Sequence, residues 1–476
     1  MKKKIGIITG ITIGLFIFIA CCRFLDTLLV EEDAWHKILF HSYYTQDKNI
    51  DNAFIGSSHV LCDVEPKLLD ELNGKNNFNM SSPQQRYDTS YYLLKQMAED
   101  NKLEHVYLEC YYLCVTDHEI WDKAQGAYRV SDYIGDPDHF ASAWLISYAM
   151  KPSINKYAIQ FHASDKDHTI ENILPFVRYR QKLFDWPFME NNLKQGMSEE
   201  SPSYTFHIDY EEPDGTPWCQ EYHDKGDNYS DGRVYDCEKV FPTDRDLTKY
   251  GIGARSEEYL KKCIEYCRSK NIPVTVFVSP VLDFQLLSTG DYDSYVRALR
   301  ELTASYGVDC YDFNLIKKEY LDIKHGDYYM DPEHLNAEGA TMYTKVLWDV
   351  LSRPYEQNQD KFHDTYAQKF SSEDPEIYGL YYSLTDPGDS RNEDGSPIYE
   401  TREYTIASNR DDMEYRITNL GKDEEGNETE ELIQDYGSCK TFSMPVSEHG
   451  SVRIEGRYLG TEGSYQGQEL ELAINY

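Results

Sequence analysis

Apolar positions along the chain follow three patterns. The first is a run. Lys2-Lys3-Lys4 precedes Ile5 to Cys22, a stretch without a charged residue. As a helix it is just long enough to cross a ~30 Å hydrocarbon core. The second is an alternation of short apolar runs with amphipathic stretches. Ala53–Ile55, Asn77–Met80, His105–Tyr112, Pro273–Ser279 and Asp309–Asp312 read as strands. Pro66–Leu72, a segment opened by Ser82-Pro83 and running through Met97, Ser256–Lys270, Tyr292–Tyr306 and Ala337–Leu351 read as helices. Strand–helix alternation of this kind predicts an α/β fold with a doubly wound parallel sheet, most simply in flavodoxin-like order. The third is period-two alternation between turn residues, at Glu403–Ile406, Glu414–Ile417, Val452–Tyr458 and Glu469–Ile474. It predicts a small β-sandwich-like domain.

The α/β rhythm stops between about 115 and 250. Helical pieces are expected near 138–160 and 170–195, and 200–247 is acidic and rich in turn residues. We read this region as an insertion over the carboxyl edge of the sheet, where βα loops build ligand sites. Pro354 ends the α/β unit and 355–375 reads as a linker. The expected organisation is an anchor at 1–23, an α/β domain at 24–354 containing the insertion, and an all-β accessory domain at 370–476.

Charge narrows the partners. The net charge of −36 argues against nucleic acid, because phosphate contacts need clustered Lys and Arg. It also disfavours docking onto anionic lipid headgroups. The 41 tyrosines suit either packing or stacking on sugars, and packing is the simpler reading. The eleven cysteines are scattered and form no dense disulfide framework. Cys110/Cys114 and Cys263/Cys267 read as core thiols, since no histidine cluster accompanies them. Cys219 and Cys237 bracket a polar loop and are the one pair placed by context for a disulfide, though two free thiols are the favoured reading. Asp227, Asp231, Gly232 and Glu238 match part of a calcium-loop spacing, but Tyr229 falls where an oxygen ligand belongs, so an acidic loop is the better reading. No metal or cofactor is expected.

The N-terminal run allows three readings. A cleaved signal peptide lacks an obvious small-x-small site. A lipoprotein would be cut before Cys21, within Ile19-Ala20-Cys21, but Phe18 stands where leucine is usual. An uncleaved anchor fits the length and the flanks best, and the lysines would keep that end inside. The expected location is therefore the cell membrane, single-pass, with the folded part extracytoplasmic.

Two short motifs carry the chemistry. Ala53-Phe54-Ile55-Gly56-Ser57-Ser58-His59 is an apolar strand running into a glycine turn, the arrangement that presents a nucleophile at a strand end. Asp331-Pro332-Glu333-His334 places a base and an orienting carboxylate just before a helix. Gly-Ser-Ser alone occurs in many loops, and a lone histidine is as often a cap or core residue. The D-x-x-H spacing, together with an upstream serine, gives the set Ser58, His334 and Asp331 the roles of an acyl-transfer triad. Asp309 and Asp312 are weaker rivals for the carboxylate. His59 adjoins Ser58 but should point away from it, in a supporting role or none.

Here the chain resembles SGNH/GDSL-type hydrolases. Gly56-Ser57-Ser58 sits where that superfamily carries Gly-Asp-Ser, with Ser57 in place of Asp. Asp331-x-x-His334 matches its last block, and Phe78-Asn79-Met80-Ser81-Ser82 resembles its second block, usually Asn-x-Gly. The closest likeness is to the membrane-anchored, DltD-like and polysaccharide O-acetyl-type branch, and it covers roughly 50–350. The resemblance implies Ser58 as nucleophile and the N–H groups of Ser58 and Ser81 as oxyanion donors. The superfamily's third donor, an Asn in a Gly-x-Asn-Asp block, has no counterpart; Glu109, Tyr111 and Tyr112 lie near its place. Gln84 or Gln85 could substitute, or could serve only the helix surface.

The expected function is an extracytoplasmic serine esterase or O-acyl/acetyl transferase acting on a cell-envelope or secreted polysaccharide. Both reactions pass through an acyl-serine, so residues do not separate them. A membrane-bound O-acyltransferase is an expected partner for the transferase. The alternative is a catalytically silent envelope scaffold or glycan-binding protein that retains the hydrolase fold. A metal-dependent phosphoesterase finds little support, since no H-x-D or D-x-H pairs cluster.

Overall fold

The computed structural model describes residues 2–29, 35–122, 127–131, 137–162, 174–196, 207–211, 217–223, 225–231, 240–242, 251–287, 289–323, 326–391, 397–422, 427–445, 450–459 and 465–474. Its centre is a five-stranded parallel sheet. The strands are β1 (Asn52–Gly56), β2 (Asn77–Ser81), β3 (His105–Glu109), β4 (Val274–Val278) and β5 (Cys310–Asp312). Their spatial order is β5-β4-β3-β1-β2, the doubly wound order the alternation predicts. Strands buried on both faces need near-continuous apolar runs, and Ala53, Phe54, Ile55, Val276, Phe277 and Val278 are all fully buried. In the β1–β2 register Gly56 lies beside Ser81.

Within residues 77–115, two elements differ from the sequence reading. The helix expected from Ser82-Pro83 begins only at Tyr87. Gln84 takes φ 52°, a left-handed conformation that no helix accommodates, and Gln85 N–H closes a turn on Ser82 O at 3.1 Å. The third strand stops at Glu109, three residues early, and Tyr112–Val115 turns into a short helix.

The chain divides into two compact units that do not follow the linear domains. One comprises Met1–Leu108, Gly135–Asp231 and Glu258–Val274; the other comprises Glu109–Ile134, Gly232–Glu257 and Thr275–Tyr476.

In the first unit the N-terminal helix runs from Lys2 to Leu29, beyond the apolar stretch. Thr9–Leu29 is, among the described residues, the one helix long and apolar enough to cross a membrane. The helical part of the insertion forms Pro137–Ala149, Ile154–His162, Pro175–Arg178 and Trp186–Gly196. The acidic part contains short strands that the sequence reading did not assign. His207–Glu211, Pro217–Tyr222 and Asn228–Asp231 form a three-stranded antiparallel sheet. Its last turn meets the outer edge of β2, where Asn79 N–H donates to Lys225 O at 2.9 Å. Gly226 allows that approach: its φ is +83°, and a Cβ there would lie 2.0 Å from Asn79 O. This part of the insertion therefore covers the lateral edge of the sheet, where the sequence reading placed it over the carboxyl edge. Asp227 pairs with His223 Nδ1 at 2.9 Å, whereas Gly232 and Glu238 of the calcium-like spacing lie outside the described residues. Cys219 lies on the strand Pro217–Tyr222, and its candidate partner Cys237 also lies outside the described residues.

In the second unit, antiparallel strands from Ile377 to Ile474 form two sheets around one apolar core that includes Leu380, Tyr404, Tyr415, Ile417, Phe442, Val452, Ile454 and Leu472. A short strand from the insertion, Val240–Pro242, joins one sheet in parallel with Ile377–Arg391. The segment read as a linker is ordered. Its helix Tyr366–Ser372 fixes Asp283, with Lys369 Nζ on Asp283 Oδ1 at 2.6 Å and Tyr366 O–H donating to Asp283 O at 2.9 Å. Phe284 stacks on Tyr381 of the β sheet at 5.0 Å.

Candidate functional site

The first unit holds the serine turn. β1 ends at Gly56, and the six-residue helix Ser58–Asp63 starts at once. Ser57 caps it, its Oγ lying 3.4 Å from His59 N and 3.3 Å from His59 Nδ1. Those distances are long for hydrogen bonds, so Ser57 is a weak cap. The cap also explains His59, which is buried against Ser57. Ser58 is partly exposed at the first helical position, where the backbone N–H groups have no intrahelical acceptor.

Strand β2 supports this turn from the side. Asn79 Nδ2 donates to Val60 O and to Val64 O, both at 2.8 Å, and both residues are fully buried. One amide thus satisfies two carbonyls at the end of the short helix. Ser81 is fully buried beside Gly56, and among the described residues its Oγ has no hydrogen-bond partner. The two glutamines differ. Gln85 is buried and commits both amide hydrogens, to Met80 O at 3.2 Å and Ser90 Oγ at 3.0 Å, while its Oε1 accepts from Ser82 Oγ. It braces the turn and has no N–H left for an oxyanion. Gln84 holds the left-handed residue of that turn and is half-buried.

The second unit holds the candidate base, His334. Asp331 and His334 are brought together: Nδ1 lies 3.0 Å from Oδ1 and 2.9 Å from Oδ2. Oδ1 also accepts the backbone N–H groups of Glu333 and His334, each at 2.8 Å. Burial by itself would raise the Asp331 carboxyl, but the His334 ring and these two N–H donors outweigh it and hold the group at about 2. Asp331 is therefore a carboxylate at neutral pH, and by accepting the Nδ1–H hydrogen bond it holds the ring in the tautomer that leaves Nε2 unprotonated.

The surrounding loop is clamped at several points. Met330 N–H donates to His334 O, and Asn336 N–H donates to Tyr328 O, both at 3.0 Å. Asn336 caps the helix Ala337–Leu351 through Gly339 N at 3.0 Å, and its Nδ2 donates to Asp327 O at 2.8 Å. Gly339 sits so close to the loop that a Cβ would fall 2.2 Å from Tyr328 O.

One acidic residue of this loop escaped the sequence reading. Glu333 lies between Asp331 and His334 in sequence, and its Oε1 accepts from Gln285 Nε2 at 3.2 Å. Burial raises its carboxyl above the usual range, against the pull of His334 and of hydrogen bonds from Tyr111 and Gln285. The Tyr111 and Tyr112 hydroxyl oxygens lie 3.3 Å apart, and burial followed by the nearby Glu333 pushes both phenols well up. Tyr111 and Tyr112 are thus tied to the Asp331–His334 loop. The rival carboxylate Asp312 is engaged elsewhere, accepting from Tyr292 O–H at 2.9 Å and Asn314 N–H at 3.0 Å. Among the described residues no group of His, Cys, Asp and Glu is arranged to hold a metal ion.

Compared with protein-family models and with curated proteins, the chain matches none.

Proposed function

We propose that the chain is a membrane-anchored serine acyl-ester enzyme of SGNH type, with Ser58 as nucleophile, His334 as base and Asp331 as the residue that orients it. The observation that carries this reading is the Asp331–His334 pair: a carboxylate with both oxygens on Nδ1, on a loop after the last parallel strand. The Gly56-Ser57-Ser58 turn after the first parallel strand supports it, since doubly wound sheets build their sites from such loops.

With Nδ1 committed to Asp331, the chemistry runs through Nε2. Nε2 takes the Ser58 hydroxyl proton as Oγ attacks the ester carbonyl. The N–H groups of Ser58 and Ser81 are the proposed donors to the oxyanion. Nε2 then returns the proton to the departing alcohol, leaving an acyl-serine. Water or a sugar hydroxyl, deprotonated by the same nitrogen, releases the acyl group. The uncharged run of the first helix and the lysines before it support an anchor with the folded part outside the cytosol, where an envelope polysaccharide is the proposed substrate. The DltD-like resemblance adds a membrane-bound O-acyltransferase as the proposed partner.

The test is covalent capture. A fluorophosphonate should add to Ser58 in the wild-type chain, as located by peptide mass spectrometry, and should fail on His334→Ala. Turnover of a p-nitrophenyl ester should follow the same pattern. A chain that is neither labelled nor active leaves the silent scaffold or glycan-binding reading.

A further inference from the structure

Along the N-terminal helix the packing changes within one turn. Ile11 through Ile19 and Phe24 are exposed, whereas Asp26 and Leu29 are buried. The cover comes from the helical insertion. Asp26 Oδ1 accepts Phe176 N–H at 3.1 Å, and Asn192 Nδ2 donates to Leu28 O at 3.2 Å. Lys156 comes near as well: its ammonium donates to Tyr148 O at 3.0 Å and Met150 O at 2.9 Å, and it feels both Arg23 and Asp26. If the bare part of the helix lies in hydrocarbon, the bilayer surface falls at about Phe24–Asp26. The insertion helices that grip the next turn then lie at headgroup level, a zone ~5–10 Å deep on either face of the hydrocarbon.

Those helices display large apolar side chains outward. Phe184 is 87% exposed, Ile154 84% and Trp186 72%, with Leu183 and Phe161 also exposed. Phe184 lies between the helix Pro175–Arg178, which touches Asp26, and the helix Trp186–Gly196, which touches Leu28 and which Trp186 opens. The same segment, 175–188, carries Arg178, Arg180 and Lys182 against one acid, Asp185, in a chain of net charge −36. Aromatic rings with interspersed basic residues are the composition of a surface that seats at a membrane interface. In bulk water such exposed rings would be a liability.

We infer that the Arg180–Trp186 connection and the start of the helix Ile154–His162 form a lipid-docking face that lies on the bilayer beside the N-terminal helix. The occupant is the headgroup layer of the membrane in which that helix is anchored, with anionic headgroups facing Arg180. The face rests on the anchor reading and is independent of the triad. It would set the height and tilt of the first unit over the membrane.

The test uses the full chain, one copy per nanodisc, in phosphatidylcholine–phosphatidylglycerol bilayers brominated at the upper acyl carbons. Bromine quenches tryptophan on contact. Trp186 should be quenched, so wild type should lose emission relative to unbrominated discs and Trp186→Phe should abolish most of that loss. Phe184→Asp should weaken the quenching while the far-ultraviolet circular dichroism stays unchanged. Quenching that is equal in wild type and Trp186→Phe overturns the docking face, and so does its absence in discs the chain does occupy. Covering of the patch by a second copy would appear as Trp186 shielding only in discs loaded with two chains, which also overturns it. A chain that fails to co-purify with discs overturns anchor and docking together, while leaving ester turnover free to hold.

Discussion

Around Asp331 the chain is fixed by its own short-range bonds: two backbone N–H groups and the His334 ring on one carboxylate, with the Asn336 cap just beyond. Around Ser58 the local bonds are long, and the short helix is held by Asn79 reaching across from β2. One motif is self-contained; the other borrows its rigidity from a residue 19 positions away. The Asp–His contact can therefore be read from a four-residue string, whereas a serine turn cannot be judged without the strand beside it.

The sharpest way to break the pairing of the two motifs is by turnover. Ser58→Ala and His334→Ala should each cost roughly 10⁴- to 10⁶-fold in ester turnover, and the double variant no more than either. Asp331→Asn should keep ~10–100-fold more activity than those two, because the ring survives in a poorer tautomer. Additive losses would mean that the residues do not act as one unit.

The contrast in support predicts two stability effects. Asn79→Ala strands two buried carbonyls and should cost about 2–4 kcal/mol, with hydrogen exchange at 58–64 rising first. Gly339→Ala forces a Cβ against Tyr328 O and should cost about 1–3 kcal/mol, seen as a lower melting temperature together with lost turnover. If Asn79→Ala melts like wild type, the serine turn has another brace.

The smallest effect separates two neighbouring carboxylates by sign. Asp331, held at about 2 in the fold against an ordinary 3.8, contributes stability that is present above pH ~4 and lost as pH falls toward 2. Glu333 is raised by burial, so its contribution is full below its ordinary value of 4.5 and is lost as pH rises through its folded value. Melting curves should show Asp331→Asn losing most above pH 4. Glu333→Gln should show its deficit at low pH, and that deficit should shrink or reverse near neutrality. Parallel profiles would refute the assignment.

Much of this was legible in the chain. Val274–Val278 is a β-branched run that only a buried strand suits, and the helix Ala337–Leu351 falls at its expected bounds. The Asp331–His334 contact follows from a spacing of three. What could not be read depends on distant partners or on backbone sign. Gln84 at positive φ removes a helical start that Ser82-Pro83 otherwise advertises. Glu333 gains its meaning from Gln285, 48 residues away. The strands 207–211, 217–222 and 228–231 are short and acidic, so their pairing, rather than any apolar period, defines them.

The Lys225 tether has a consequence for biosynthesis. Its ammonium contacts the Asp70 carboxylate and Asn76 Oδ1, and donates to Asn77 O at 3.3 Å, while the adjacent backbone closes the free edge of β2. Lys225 is made 148 residues after Asn77. At ~5–20 residues per second the ribosome needs about 7–30 s to deliver it. Through that interval the nascent chain has a bare strand edge, open to pairing with any other extended segment. If the chain is exported, as proposed, it meets that interval during passage, and holdase chaperones on either side should bind it most strongly while the segment after residue 81 is still short of 225.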